Sequence, residues 1–311
     1  MKNRITAILG TKYPLILGPM RLMTLGAMAA AVSESGGFGQ IAASGASAEL
    51  LRAEIAKARR LTDKPFGLNM PVYRPNALEA LEIAIEMGVK TVTTSAGNPA
   101  KMMGRIRAAG LKVLHKVSTL DMALKAQDAG VDGVIATGYE AGGHIGREET
   151  TTFCLVPQLV DALSIPVVAA GGIGDARGFL AALALGAEGV EMGTRFVATR
   201  ECPAPDFNKA AILEAGGGST LVLGKEMPIR VLRSRKALEI ADPERSKGAA
   251  LKSADEAYVQ LAGEADEAVM PAGQVAGLIR AIVGAGEVFP DMVQAARALA
   301  GSLEKFFKEE T

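Results

Sequence analysis

The feature that most constrains this chain is an alternation. Short apolar or β-branched runs recur eight times, and most are followed by an amphipathic helical pattern. The runs are PLILG (14–18), FGQIAA (38–43), FGLNM (66–70), KTVTTS (90–95), KVLHKV (112–117), GVIATG (133–138), IPVVAAGG (165–172) and GVEMGT (189–194). Strands this short, separated by helices such as SAELLRAEIAKARRL and NALEALEIAIEMG, read as βαβ units of a parallel sheet. Eight such units without a long hydrophilic break predict closure into a (β/α)8 TIM barrel. The joints are punctuated chemically. Asn98-Pro99 reads as a helix N-cap followed by a helix-starting proline, and Gly88, Gly110 and Gly130 read as the glycines that end helices.

The pattern changes after Pro203. Residues 203–270 hold charged helical pieces and no repeated strand signal, which predicts a small helical insertion or lid. The expected organisation is a barrel over 1–202, the insertion over 203–270, and C-terminal helices over 271–311 that complete the barrel wall. A length of 311 residues is normal for a barrel with an insertion.

Composition removes several function classes. Lys+Arg and Asp+Glu both number 34, so no net field favours nucleic acid or an anionic membrane. Aromatic residues make up 4% with no Trp, which ill suits a base-stacking surface. No apolar stretch reaches the roughly 18 residues of a membrane span, and the N-terminus lacks a signal-peptide pattern. The two cysteines, Cys154 and Cys202, have no metal-ligand spacing and read as reduced thiols of a cytoplasmic protein. Cys202 has no evident base beside it and reads as inert.

Barrel active sites lie at the C-terminal ends of the strands. This chain collects polar and glycine-rich residues there: Gly18-Pro19-Met20, Asn69, Ser95 to Asn98, His115-Lys116, Glu140 to Gly146, Gly171-Gly172 and Gly193-Thr194. Each is explained singly as a turn, but together they read as a site. The strongest signal is AAGGIGD followed by EMGTRF, on the last two strands, where barrels commonly bind phosphate through backbone N–H groups. Ala170, Gly171, Gly172, Gly193 and Thr194 are the candidates. Two dinucleotide look-alikes fail. GFGQIA (37–42) enters a strand rather than leaving one, and GGIGDARG (171–178) has the wrong spacing for a Rossmann turn.

The second signal is GYEAGGHIG (138–146). It places His144, one of only two histidines, on a glycine-flanked loop after the sixth strand. An imidazole there suits proton abstraction or donation. His115 lies within a strand and reads as structural. Lys116 ends an otherwise apolar strand, where a cation stabilises negative charge on a reduced cofactor ring; Asn69 follows the same logic with hydrogen bonds. Arg230 and Arg233, in PIRVLRSRK, read as a solvated basic run.

Together, LILGPM, AVSESGGFGQIAA, DKPFGLNM, TTSAGNP, VLHKV, GYEAGGHIG, IPVVAAGGIGDARG, ALGAEGVEMGTRFVATRECP and VMPAGQVAGL resemble the nitronate monooxygenase family. The same superfamily holds FMN-dependent enoyl-[acyl-carrier-protein] reductases and some quinone reductases. The resemblance implies an FMN-dependent oxidoreductase with a small-molecule substrate. Gly171, Gly172, Gly193 and Thr194 would hold the phosphate. Gly18, Met20, Asn69, Lys116, Glu140, Ala141, Gly142, Gly143, Ala170 and Gln274 would surround the rest of the cofactor, and His144 would be the catalytic acid/base. Pro19 departs from the family pattern, which has glycine there, and removes one N–H. The implied reaction is oxidation of alkyl nitronates by O2 through the flavin. The alternative is reduction of enoyl thioesters or quinones with NADH or NADPH as donor. A flavin-free sugar-phosphate isomerase or lyase is what the phosphate signal alone permits. A homodimer is compatible with this reading.

Overall fold

All eight predicted strands form, and they close on one another. The computed structural model describes residues 1–242 and 265–305. Its strands are β1 (Leu15–Leu17), β2 (Gly39–Ala42), β3 (Phe66–Pro71), β4 (Thr91–Ser95), β5 (Lys112–Val117), β6 (Gly133–Thr137), β7 (Gly143–His144), β8 (Val167–Ala170), β9 (Gly189–Met192), β10 (Thr220–Leu223) and β11 (Ile229–Leu232). Eight of them form one parallel sheet in the order β1-β9-β8-β6-β5-β4-β3-β2. The ring shuts where the Leu17 N–H donates to Phe38 O (3.0 Å) and the Phe38 N–H donates to Leu15 O (2.8 Å).

The helices are α1 (Arg4–Leu9), α2 (Gly26–Glu34), α3 (Ala48–Leu61), α4 (Ala77–Glu86), α5 (Ala100–Ala108), α6 (Leu120–Ala129), α7 (Thr152–Ala162), α8 (Ala176–Ala184), α9 (Thr194–Val197), α10 (Asp206–Glu214), α11 (Arg235–Ala241) and α12 (Ala285–Glu304). Their ends follow the predicted chemistry. Ser47 and Thr119 cap α3 and α6 by accepting the Leu50 and Met122 N–H groups. Gly88, Gly110 and Gly130 are left-handed at φ 65°, 66° and 85°, conformations that glycine adopts at no steric cost. Asn98 accepts the Ala100 N–H at 2.9 Å, although the cap position of α5 falls on Pro99, one residue later than expected. α12 lies against α2 and α8, on the outside of the sheet.

The barrel interior is apolar at one end and polar at the other. α1 plugs the N-terminal end, with Ile5 and Leu9 buried against Ile16, Phe38, Leu114, Ile135 and Val168. Gly67 makes room for this plug: any Cβ there would crowd the Phe38 ring. Higher up, the inward positions become Gln40, Asn69, Thr93, Lys116 and Glu191, joined by side-chain hydrogen bonds across the barrel. Because strand side chains alternate in direction, Leu114 and Lys116 share the inner face of β5 while His115 faces outward.

The segment 203–270 departs from the helical reading. It contains α10 and α11, but between them β10 and β11 form an antiparallel hairpin. TLVL and IRVL are β-branched and apolar runs on either side of a GKEMP turn, so local preference favours the hairpin. β11 also pairs with β7, matching Ile229 with His144 and Arg230 with Gly143. The remaining part of the expected insertion, 243–264, lies outside the described residues, as does 306–311 of the expected C-terminal helices.

Candidate active site at the C-terminal end of the barrel

One cavity of about 330 Å³ opens at the C-terminal strand ends. Gly18, Met20, Asn69, Lys116, Glu140, Ala141, Gly142, Gly143, His144, Ala170, Gly171, Gly172, Gly193 and Thr194 all line it. The structure therefore brings together fourteen of the fifteen residues to which the family resemblance gives a cofactor or catalytic role. The exception is Gln274. It is exposed and off the cavity wall, and its N–H donates to Glu140 O at 2.9 Å. Its neighbours Gly273 and Val275 line the cavity instead.

The end built by β8 and β9 is made of backbone. Gly171 and Gly172 turn with φ of 96° and 71°, and a Cβ on Gly171 would lie 3.0 Å from the Ala141 N. The two glycines present only backbone to the cavity, with the Ala141 and Glu140 side chains packed beside them. Thr194, buried at the start of α9, accepts the Gly273 N–H at 2.9 Å, which leaves its hydroxyl hydrogen to donate. Asp175 caps α8 by accepting the Arg177 and Gly178 N–H groups, so the first turn of that helix is already satisfied. An anion at this end would be held by the Gly171-Gly172 and Gly193-Thr194 turns.

The β1 turn offers less than its position suggests. Pro19 has no N–H. The Gly18 N–H donates to Met192 O at 2.7 Å, and the Met20 N–H donates to the Thr24 hydroxyl at 3.1 Å. Backbone donation to a ligand from residues 18–20 is thus closed off, and Met20 contributes only its apolar side chain.

The floor is made of side chains. Lys116 forms an ion pair with Glu191, whose side chain is 3% exposed. Asn69 directs its amide N–H groups to Thr93, 2.9 Å from the hydroxyl. Thr137, at the end of β6, faces the cavity with a buried hydroxyl that has no hydrogen-bond partner among the described residues. A buried hydroxyl left in that state costs free energy, on the order of 1–3 kcal/mol, so it marks a place where a ligand polar atom belongs. Glu140 also lines the cavity, but its carboxylate accepts the Thr152 N–H at 2.9 Å and the Thr152 hydroxyl at 3.1 Å. It ties the loop to α7.

The two histidines sit in opposite environments. His115 is 1% exposed, bonded through Nδ1 to the Thr94 hydroxyl at 2.8 Å. Burial pushes its pKa down to about 4, partly offset by a hydrogen bond to the Gly97 backbone. It is a neutral strut behind the Ser95–Gly97 turn. His144 lines the cavity half-buried. Its backbone is fixed twice, by pairing with Ile229 and by the Ile145 N–H donating to Pro228 O at 3.1 Å.

Arg230 completes this fixture, and the reading of it as solvated is corrected. It is buried. Its guanidinium donates to Tyr139 O at 2.9 Å and to the Thr220 hydroxyl at 3.1 Å, and it lies 4.8 Å from the Tyr139 ring centre. It pins the loop that carries His144. Arg233 is exposed. Cys202 is buried, and burial pushes its thiol up, which agrees with an inert side chain. Sequence reasoning missed Glu191, Thr137, Gln40 and Thr93. Each sits at an inward position of its strand, which parity along GVEM, GVIAT, GQIA and TVTTS signals.

With this geometry in place, four similarities are informative. The family model described as nitronate monooxygenase matches residues 2–295. A probable nitronate monooxygenase of Staphylococcus saprophyticus is 34% identical, covering 71% of this chain and 75% of its own length. A hydroxy-methyl-oxo-octahydroindene-carboxyl-CoA dehydrogenase of Mycobacterium tuberculosis is also 34% identical, covering 82% of this chain and 73% of its own length. Among solved structures, FabK from Thermotoga maritima is 37% identical, with a TM-score of 0.90 over 98% of this chain and 99% of that one.

Proposed function

Because the chain belongs to the nitronate monooxygenase family, an oxidoreductase family of flavin enzymes, we propose that it binds FMN in this cavity and oxidises alkyl nitronates with O2 in the cytoplasm. The observation that carries the reading is the coincidence, in one cavity, of the glycine turns after β8 and β9, with the Thr194 hydroxyl beside them, and His144 on a fixed loop. The residues fit the cofactor. The glycine turns after β8 and β9 suit its phosphate. The unpartnered Thr137 hydroxyl and the Lys116–Glu191 pair suit a polar ring edge, and Met20 an apolar ring face. When bound, FMN supplies the two-electron chemistry and the reaction with O2.

The protein's share is binding, orientation and proton transfer. Gly171, Gly172, Gly193 and Thr194 anchor the cofactor at one end, which fixes where its ring lies relative to His144. The half-buried His144 imidazole takes the proton from the α-carbon of a neutral nitroalkane, and a substrate supplied as the nitronate needs no such step. A Cβ at Gly142 would overlap the Gly273 backbone, so the loop packs tightly against the segment that follows the hairpin. Oxygen uptake with alkyl nitronates in the absence of NADH and NADPH tests the reading; no turnover with several nitronates would count heavily against it.

A second reading has its own support. The likeness to FabK over nearly all of both chains and to a CoA-thioester dehydrogenase favours an NAD(P)H-dependent reductase of enoyl thioesters. Here His144 delivers a proton to the substrate's α-carbon instead of removing one. Arg21 and Arg74 line the same cavity, where cations suit phosphate-bearing substrates. Anaerobic bleaching of the bound flavin by NADH or NADPH supports this reading, and failure with both donors eliminates it.

A further inference from the structure

The cavity floor contains a charge that the sequence pattern alone does not explain. Glu191 lies deep in the barrel, with its side chain 3% exposed. One carboxylate oxygen binds the Lys116 ammonium. The other lies 3.4 Å from Gln40 Nε2, which also donates to Leu17 O at 2.6 Å. Gln40 Oε1 accepts the Thr93 hydroxyl at 2.6 Å, and Thr93 accepts from Asn69 at 2.9 Å. Five strands are thus linked under the cavity: β3 through Asn69, β4 through Thr93, β2 through Gln40, β9 through Glu191 and β5 through Lys116.

Such a network is a poor device for stability. Taking two charges out of water costs several kcal/mol per ion, and apolar replacements of similar volume are often as stable. The inward positions nearer the plug show that alternative, being filled by Leu114, Ile135 and Val168. The ion pair sits where the barrel meets the cavity, and both Lys116 and Glu191 line it. An unpaired Lys116 would bring a full positive charge to the cofactor ring and favour its reduced, more negative state. Glu191 cancels that charge at contact distance while Gln40 fixes the carboxylate from the other side.

We propose that Glu191 is a positioning residue for the flavin. It holds the Lys116 ammonium at the floor and neutralises it, so that the ring meets a polar but uncharged surface and its midpoint potential stays below the value Lys116 alone would set. This rests on the FMN reading above. The test is the midpoint potential of bound FMN, measured anaerobically by dye equilibration, in the wild type, Glu191→Gln, Lys116→Met and the double variant. The expected order is Lys116→Met most negative, wild type and double variant together, and Glu191→Gln most positive. A purely structural role for Glu191 would lower the melting temperature without moving the midpoint.

Equal midpoints in the wild type and Glu191→Gln overturn the proposal while leaving the FMN reading intact. A wild-type protein without affinity for FMN overturns both. If Glu191→Gln does not fold, Glu191→Asp withdraws the carboxylate while keeping its charge. Its midpoint is then expected between the wild type and the positive extreme, and an unchanged value overturns the proposal as well.

Discussion

The barrel wall and the small sheet beside it each carry one of the chain's two histidines, and they use them in opposite ways. In the wall, His115 is 1% exposed, bonded to Thr94, and held neutral by burial. In the small sheet, His144 is fixed through its backbone by β11 while its side chain lines the cavity. Enclosing a side chain makes it a strut. Seating a side chain on the cavity wall puts its ring where a bound ligand can meet it. On the proposed reading, the barrel supplies the cofactor end of the site and the appended hairpin carries the acid/base group.

The largest expected effect comes from the ring of His144. His144→Ala should lower kcat/KM on a neutral nitroalkane by about 10²–10⁴-fold, the usual contribution of a positioned acid or base. FMN content should stay at the wild-type level, because the cradle lies on β8 and β9. With preformed nitronate the loss should be much smaller. Equal losses on both substrates would break the distinction between the two regions.

His115 should reveal itself through stability instead. Its folded pKa of about 4 lies below the ordinary histidine value of about 6.5, so between these values the unfolded chain binds a proton that the folded protein does not. Stability is then fully present above about pH 6.5 and is lost as pH falls towards 4, by about 3 kcal/mol in all. Denaturant unfolding followed from pH 7 to pH 4 should show that loss. His115→Gln should flatten the curve in this window and leave the pH profile of turnover in place. A curve of unchanged slope in the variant would assign the loss to other groups.

The cradle is expected to give a smaller and more local effect. Gly171→Ala forces a residue with a Cβ to φ 96° and crowds Ala141 N. Strain of about 1–3 kcal/mol predicts FMN binding weaker by about tenfold or more, measured by fluorescence titration of the apoprotein. His144→Ala in the same titration should match the wild type. Equal losses in the two variants would mean that the hairpin and the cradle act as one unit.

How much was legible in the sequence follows the same division. The eight strands and the glycine cradle are local features. A short β-branched run, its helix and its ending glycine lie within a few dozen residues, and GGIG or MGT can be read without knowing what faces it. The floor is not local. Lys116 and Glu191 are 75 residues apart and meet only because the sheet closes with both on its inner face. Glu191 was passed over for the glycine two positions on, although a carboxylate at an inward barrel position requires a partner. The hairpin escaped because its strands are four residues each and stand among charged helical pieces. Arg230 then looked like part of a basic run, when pairing with β7 and the Tyr139 carbonyl draws it inside. Gln274 comes to the cofactor by resemblance alone, and in the structure its neighbours Gly273 and Val275 line the cavity.

The central claim is that this barrel end is a flavin site, and the visible spectrum tests it most directly. The purified protein, or its apoprotein after addition of FMN, should show the absorption bands of bound flavin, with its fluorescence altered from that of the free cofactor. A colourless protein that FMN cannot reconstitute would contradict the account.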